Sequence, residues 1–441
     1  MTKLALAALP LLFATPAAAQ ADDLRAAIAA DMPGLTAIYR DLHANPELSF
    51  AEVRSAGIMA AAARKAGFEV TEKVGRTGIV AVLKNGPGPT VLIRADMDAL
   101  PVVEQSGLTF ASKVRATPAS GVETGVMHAC GHDTHMTAWI ETARLLAARK
   151  GQWSGTLVMI GQPAEETGQG AAAMLEDGLY TRFPKPDFAL AFHNMNAVPA
   201  GTLAYASGPA MANVDSIDIE VRGVGGHGAA PHTTKDPVVL AAAIVMRLQT
   251  LVSRENNPLD PAVVTVGSFH AGSKYNIISD SAKLQLTVRS FSDAQRQRLL
   301  DGIKRVVAGE AMASGIPEAL LPKVALGEGF TPALINEPGF AEQVVAPLRV
   351  RFGEDRVLLL PPIMAGEDFS RYRRADPARI QSLMLWVGGA NPATIAAASR
   401  DSTVLPSLHS PFWAPDAEKV IATAAEALAG AAMELMPRPA Q

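Results

Sequence analysis

From residue 24 to residue 67 the apolar positions, many of them alanine, recur at helical spacing, and Gly67 stands where such a helix would end. The rhythm then shortens. Ile79–Leu83 and Thr90–Arg94 are compact apolar runs separated by Asn85-Gly86-Pro87-Gly88, which predicts two strands and a turn. A helix is expected from about His135 to Arg149, followed by apolar strands at Thr156–Ile160 and Phe188–Phe192. Helices alternating with short buried strands predict an α/β fold with a mostly parallel sheet.

The pattern changes after residue 211. In Ser216–Arg222, Ile217, Ile219 and Val221 fall on one face and Ser216, Asp218, Glu220 and Arg222 on the other. Val263–Phe269 and Lys283–Arg289 alternate in the same way, as strands do when one face of their sheet meets water. Pro237–Val252 and Ala294–Ala313 read as helices. Residues 212–325 are therefore expected to form an inserted α+β module. The first domain, residues 20–211, resumes at 326–441 and ends in an alanine-rich helix.

A chain of 441 residues exceeds the usual size of one core, which agrees with two domains. A hydrophobic share of 49% with 19% charged residues is that of a globular protein. The net charge of −4 leaves no basic surplus for a phosphate backbone, so no nucleic-acid partner is expected. Lys3, the apolar run Leu4–Phe13 and the small residues Ala14 to Ala19 form the pattern of a secretory signal peptide, residues 1–19. That predicts a periplasmic or secreted protein, with no further segment long enough to span a membrane. The single cysteine, Cys130, has no partner for an intrachain disulfide, so in an oxidising compartment it is expected to be buried or bound.

Its neighbours favour binding. Met127-His128-Ala129-Cys130-Gly131-His132-Asp133-Thr134-His135 packs three histidines and the thiol into nine residues. These donors suit zinc and its transition-series neighbours, and Gly131 permits the bend that would aim Cys130 and His132 at one point. Glu165-Glu166 directly follows the strand Thr156–Ile160, where the groups of α/β sites gather. One such carboxylate can bind metal while the other moves a proton. His193 ends the strand Phe188–Phe192, and His409 stands far along the chain in Leu408-His409-Ser410-Pro411. Together these residues could hold two ions.

The chain also carries, in order, His43-x-x-Pro46-Glu47-Leu48-Ser49-Phe50-x-Glu52, Arg94-Ala-Asp96-Met-Asp98-Ala-Leu-Pro101, the histidine–cysteine cluster, Pro163-Ala-Glu-Glu166, Gly226-His227-Gly-Ala-Ala-Pro231 and Met364-Ala-Gly-Glu-Asp-Phe369. This series closely resembles the M20 metallopeptidases, in particular the branch of hippurate hydrolases, N-acyl-amino-acid amidohydrolases and auxin-conjugate hydrolases. The resemblance implies a catalytic domain with an inserted lid domain through which the chain forms a homodimer. It implies two divalent ions, zinc or manganese with cobalt or nickel as further options, held by Cys130, His132, Glu166, His193 and His409. Glu165 would be general base and acid, and His227 would reach a partner's site to stabilise an oxyanion. Asn276 and Arg289 would contact substrate, Arg289 by gripping a carboxylate; the competing reading of Arg289 is a strand-edge salt bridge. Asp96 is not expected to be a ligand, Asp98 is expected to orient one, and His43, Pro46 and Glu47 are read as structural.

The expected reaction is hydrolysis of the amide bond of small N-acyl amino acids, with Glu165 taking a proton from the attacking water and returning it to the leaving nitrogen. The alternatives are a dipeptidase or another peptidase of the same family, and a non-catalytic binding protein. Retention of Glu165 and all five ligand positions argues against the last.

Overall fold

The computed structural model describes residues 16–118, 121–327, 329–398, 400–401 and 405–439. The first fifteen residues, most of the expected signal peptide, lie outside the described residues.

Eight strands form one mixed sheet. Their spatial order is Glu69–Val74, Gly78–Asn85, Gly155–Gln162, Thr90–Asp96, Phe188–Pro199, Gln381–Ala390, Leu203–Tyr205 and Val357–Leu359. The centre is parallel: Thr90–Asp96 pairs in parallel with both Gly155–Gln162 and Phe188–Pro199, and Phe188–Pro199 pairs in parallel with Gln381–Ala390. The antiparallel pairings lie toward the two edges.

Both faces of this sheet are covered, so its central strands are largely apolar rather than alternating, while the edge strand Glu69–Val74 is polar and mostly exposed or half-buried. Ile79, Ala81, Val91 and Ile93 enter one core with the helices Pro16–Ala44, Val53–Lys65, His132–Ala148, Pro338–Phe352 and Ala417–Leu435. Val80 and Leu92, one residue out of phase, enter a second core with Ala171, Met174, Leu179 and Tyr372 from short helices on the opposite face. The apolar stretch from 24 to 67 is two helices, not one. Asn45-Pro46 and the residues after them break it, because proline disfavours helical backbone in the residue before it.

A second sheet has the order Val263–Ala271, Ser281–Ser290, Asn213–Arg222, Lys323–Leu326, all antiparallel. The alternation of Asn213–Arg222 is realised: Ile217, Ile219 and Val221 are buried against Leu240, Ile244 and Leu248, while Ser216 and Glu220 face outward. The helices Pro237–Thr250 and Asp293–Ala313 complete this core, which shares no residue with the other two. Among the described residues, Pro237–Glu255 is the one helix long and apolar enough to cross a membrane, and here its apolar face packs on the sheet.

Candidate metal centre

Every candidate ligand comes from a segment leaving the carboxyl edge of the parallel strands or the adjoining loops. Asp96 ends Thr90–Asp96 and Asp98 follows it, the Glu165-Glu166 pair follows Gly155–Gln162, and His193, expected to end its strand, lies within Phe188–Pro199, paired with Trp386. Gly131 caps the helix His132–Ala148 in the left-handed region at φ +81°, and a Cβ there would lie 2.3 Å from Asn194 Nδ2. This turn places Cys130 before the helix and His132 in its first turn. Two non-glycine residues beside the candidate ligands are also left-handed: Ala164 at φ +47° and His409 at φ +67°. Such backbone costs roughly 1–3 kcal/mol and persists only where its surroundings hold it. At His409 the backbone N–H donates to the Ala129 carbonyl at 2.9 Å, tying that distant loop to the cysteine segment.

The five predicted ligands converge. Cys130 Sγ lies 3.4 Å from His193 Nε2 and 3.3 Å from His409 Nε2. His409 Nε2 is 3.5 Å from Glu166, and His132 Nε2 is 3.9 Å from both Glu165 and Glu166. The ring tautomers are set from behind. His132 Nδ1 donates to the Asp98 carbonyl at 2.8 Å and His193 Nδ1 to the Asn194 carbonyl at 2.7 Å, so in the neutral ring, the form that binds a metal ion, each Nε2 presents a lone pair inward. His132 Nε2 and Glu166 Oε1 are buried without any hydrogen-bond partner. Buried polar atoms are rarely left so, and a thiol, imidazoles and a carboxylate aimed at one another form a donor set for divalent transition ions.

The electrostatics agree. Burial first, then the charges of Glu367, Glu166 and Asp368, push Glu165 well above the usual carboxylate range, with Arg94 opposing. Burial, with Asp98 and Asp96 and against His132, raises Glu166 to about 7. Burial and then Glu166 and Glu165 push the Cys130 thiol up. Anionic donors packed this closely in a dry site are stabilised by cations.

His135 is not brought to the cluster as a donor. Its Nδ1 donates to Asp96 at 2.5 Å and its Nε2 accepts the Asn194 backbone N–H at 2.9 Å, so both nitrogens are used. Asp96 is likewise occupied, by His135 and by Arg94 at 2.6 Å. Asp98 holds the Glu165-Glu166 turn: its carboxylate accepts both backbone N–H groups at 3.0 Å and the Ser49 hydroxyl at 2.6 Å. Sequence reasoning placed Glu367 and Asp368 at the site without a role and missed the buried arginine that ties them together beneath it. Arg94 donates to Asp96, to Glu367 at 2.8 Å, to Asp368 at 3.4 Å and to Gln162 at 2.9 Å. An arginine within an apolar strand, two residues from an aspartate, was the available signal.

A cleft of about 710 Å³ opens over the cluster, lined among others by Cys130, Glu165, Glu166, His193, Arg289 and His409. Arg289 is half-buried, donates to Thr287 Oγ1 at 3.0 Å and the Met364 carbonyl at 3.4 Å, and has no carboxylate within ion-pair distance among the described residues. The strand-edge salt bridge is therefore not formed. His227 and Asn276 do not line this cleft. They sit together on a small outlying ribbon, His227 paired with Ile277 and the Gly228 N–H donating to the Asn276 carbonyl at 2.9 Å.

A mixed α/β sheet with such a cluster at its carboxyl edge defines a metal-dependent hydrolase. The chain belongs to peptidase family M20/M25/M40, whose model matches residues 92–408. It is 38% identical to thermostable carboxypeptidase 2 of Saccharolobus solfataricus over 77% of this chain and 83% of that one. It is 38% identical to the hippurate hydrolase of Campylobacter jejuni over 75% of this chain and 83% of that one. Among solved structures, the Bacillus subtilis YXEP protein, a dinuclear metal-binding peptidase of the M20 family, matches at TM-score 0.74 and 30% identity over 92% of this chain and 99% of that one.

Proposed function

We propose that this metal-dependent amidohydrolase cleaves the amide bond of small N-acyl amino acids. Cys130, His132, Glu166, His193 and His409 would hold a pair of divalent ions, zinc or manganese. Bound there, such ions supply Lewis acidity, easing deprotonation of a water and polarising a carbonyl. The chain's own residues do the rest. Glu165 accepts the proton of the attacking water and delivers it to the leaving nitrogen. Asp98 keeps the Glu165-Glu166 turn in place through the two backbone N–H groups. The observation that carries the substrate reading is Arg289, a half-buried guanidinium without a carboxylate partner among the described residues, lining the same cleft as Glu165. A bidentate grip on a free carboxylate satisfies it.

The same grip suits a peptide's terminal carboxylate, and likeness to a carboxypeptidase favours that second reading. Release of free amino acid from N-benzoylglycine, N-acetyl amino acids and dipeptides separates the two. The protein is assayed as purified, after chelation, and with Mn²⁺ or Zn²⁺ restored. We expect N-acyl amino acids to be cleaved, with activity lost to chelator and recovered with metal. Cleavage of dipeptides alone would establish the peptidase reading instead. We further propose export by the leader 1–19, to be tested by the N-terminal sequence of the mature protein, a lid role for residues 212–325 and a homodimer.

A further inference from the structure

A second cavity, of about 940 Å³, adjoins the cleft at Glu166 and Thr167. Those two residues line both cavities, and no other described residue does. One wall is a short hairpin in which Arg115 pairs with Gly125 and Ala116 with Thr124. Side chains alternate across a strand with period two. Val114, Ala116 and Pro118 from one arm, and Val122, Thr124 and Val126 from the other, line the cavity. Lys113, Arg115 and Glu123 are exposed, and Arg115 pairs with Glu123 at 3.3 Å.

A two-faced hairpin normally buries its apolar face in a core. Here Val114, Ala116 and Thr124 are only half-buried, and Val122 is 71% exposed. The facing wall includes Leu48, Ala99 and Leu100. Besides Glu166, the one carboxylate in the lining is Glu47, which is already taken by the Arg54 and Ser55 N–H groups at 2.9 and 2.8 Å. The cavity thus offers apolar surface beside the reacting groups and no free cation for an acid.

We propose that this cavity receives the acyl half of the substrate, an apolar group that can be as large as a ring or larger, and that the hairpin sets acyl selectivity. The proposal rests on the N-acyl amino acid reading above. A substrate whose scissile carbonyl lies at Glu165-Glu166 directs its carboxylate toward Arg289 and its acyl group past Thr167 to the hairpin. The volume is within the range of sites that enclose small organic ligands.

The test compares kcat/KM for N-benzoylglycine and N-acetylglycine in the metal-loaded parent and in two variants. Ala116→Phe puts a ring into the cavity, across the hairpin from Thr124. Val122→Asp puts a charge at its exposed rim, where folding is not at stake. In both, kcat/KM for N-benzoylglycine should fall about tenfold or more relative to N-acetylglycine, mainly through KM, with metal content unchanged. An unchanged ratio with an active parent would overturn the subsite and leave the reaction class intact. Equal loss on both substrates would reduce the hairpin to a structural part. A parent inactive on every N-acylglycine would remove the reaction reading and the subsite with it.

Discussion

Glu165 and Cys130 do separable work. Glu165 is aimed at the cluster, yet its proposed task is proton transfer, whereas Cys130, in contact with His193 and His409, is proposed to bind. Glu165→Gln keeps the side chain's shape and its backbone tie to Asp98. It should retain parent metal stoichiometry, by elemental analysis, while kcat falls on the order of 100- to 10,000-fold. Cys130→Ser should do the reverse, lowering bound metal and regaining part of the turnover as metal is added in excess. Full activity in the first, or unaltered metal content in the second, would exchange or abolish these roles. The positions themselves were legible because sulfur, imidazole and paired carboxylates are rare at such spacing. The residues that orient them were legible only in part: the resemblance marked Asp98 as orienting a ligand but not its hold on backbone N–H groups sixty-odd positions away, and it gave no link between Arg94 and the carboxylates of a loop near residue 367.

At the level of elements, periodicity located three central strands to within two residues, stopped the fourth at Phe192 although it runs to Pro199, and failed where burial is polar. The helix expected from His135 begins at His132, because its first turn, His132-Asp133-Thr134-His135, is fully interior through hydrogen bonds rather than apolar contact. Hydrophobic spacing carries no trace of such a turn. The same helix holds Glu141, where burial first and then the charge of Asp31, against Arg144 and Arg149, raise the carboxyl to about 7. A carboxyl with a raised folded-state pKa binds more protons folded than unfolded. Its contribution to stability is therefore full below the ordinary pKa near 4.5, declines as pH rises, and is lost above about 7. Glu141→Gln should remove that decline. Denaturation midpoints of variant and parent should run together near pH 4 and part at pH 8, the variant being more stable by on the order of 1–3 kcal/mol. Parallel pH profiles would show that Glu141 is ionised at no cost in the fold.

At the scale of the whole molecule, the place of His227 and Asn276 is at odds with the roles expected of them. Arg289 reaches the cleft from the second sheet, but His227 and Asn276, which the resemblance assigns to substrate and oxyanion, lie outside it on a ribbon whose neighbours Tyr275 and Ile277 are 96% and 49% exposed. The sequence could mark His227 by its motif but not say whose site it serves, since spacing along one chain is silent on assembly. A dimer in which each ribbon serves the other protomer's cleft makes a sharp prediction. Glu165→Gln and His227→Ala homodimers should each be nearly inactive. In a hybrid of the two, the protomer that keeps Glu165 receives an intact His227 from its partner. Random mixing at equal ratio makes half the dimers hybrid with one working site in two, restoring about a quarter of parent turnover per protomer. If His227 acts within its own chain, every hybrid site lacks one of the two groups and mixing restores nothing. Hybrids isolated through a different affinity tag on each protomer, with no rescue, would therefore place His227 in its own chain's site and require the second sheet to swing over the cleft for catalysis.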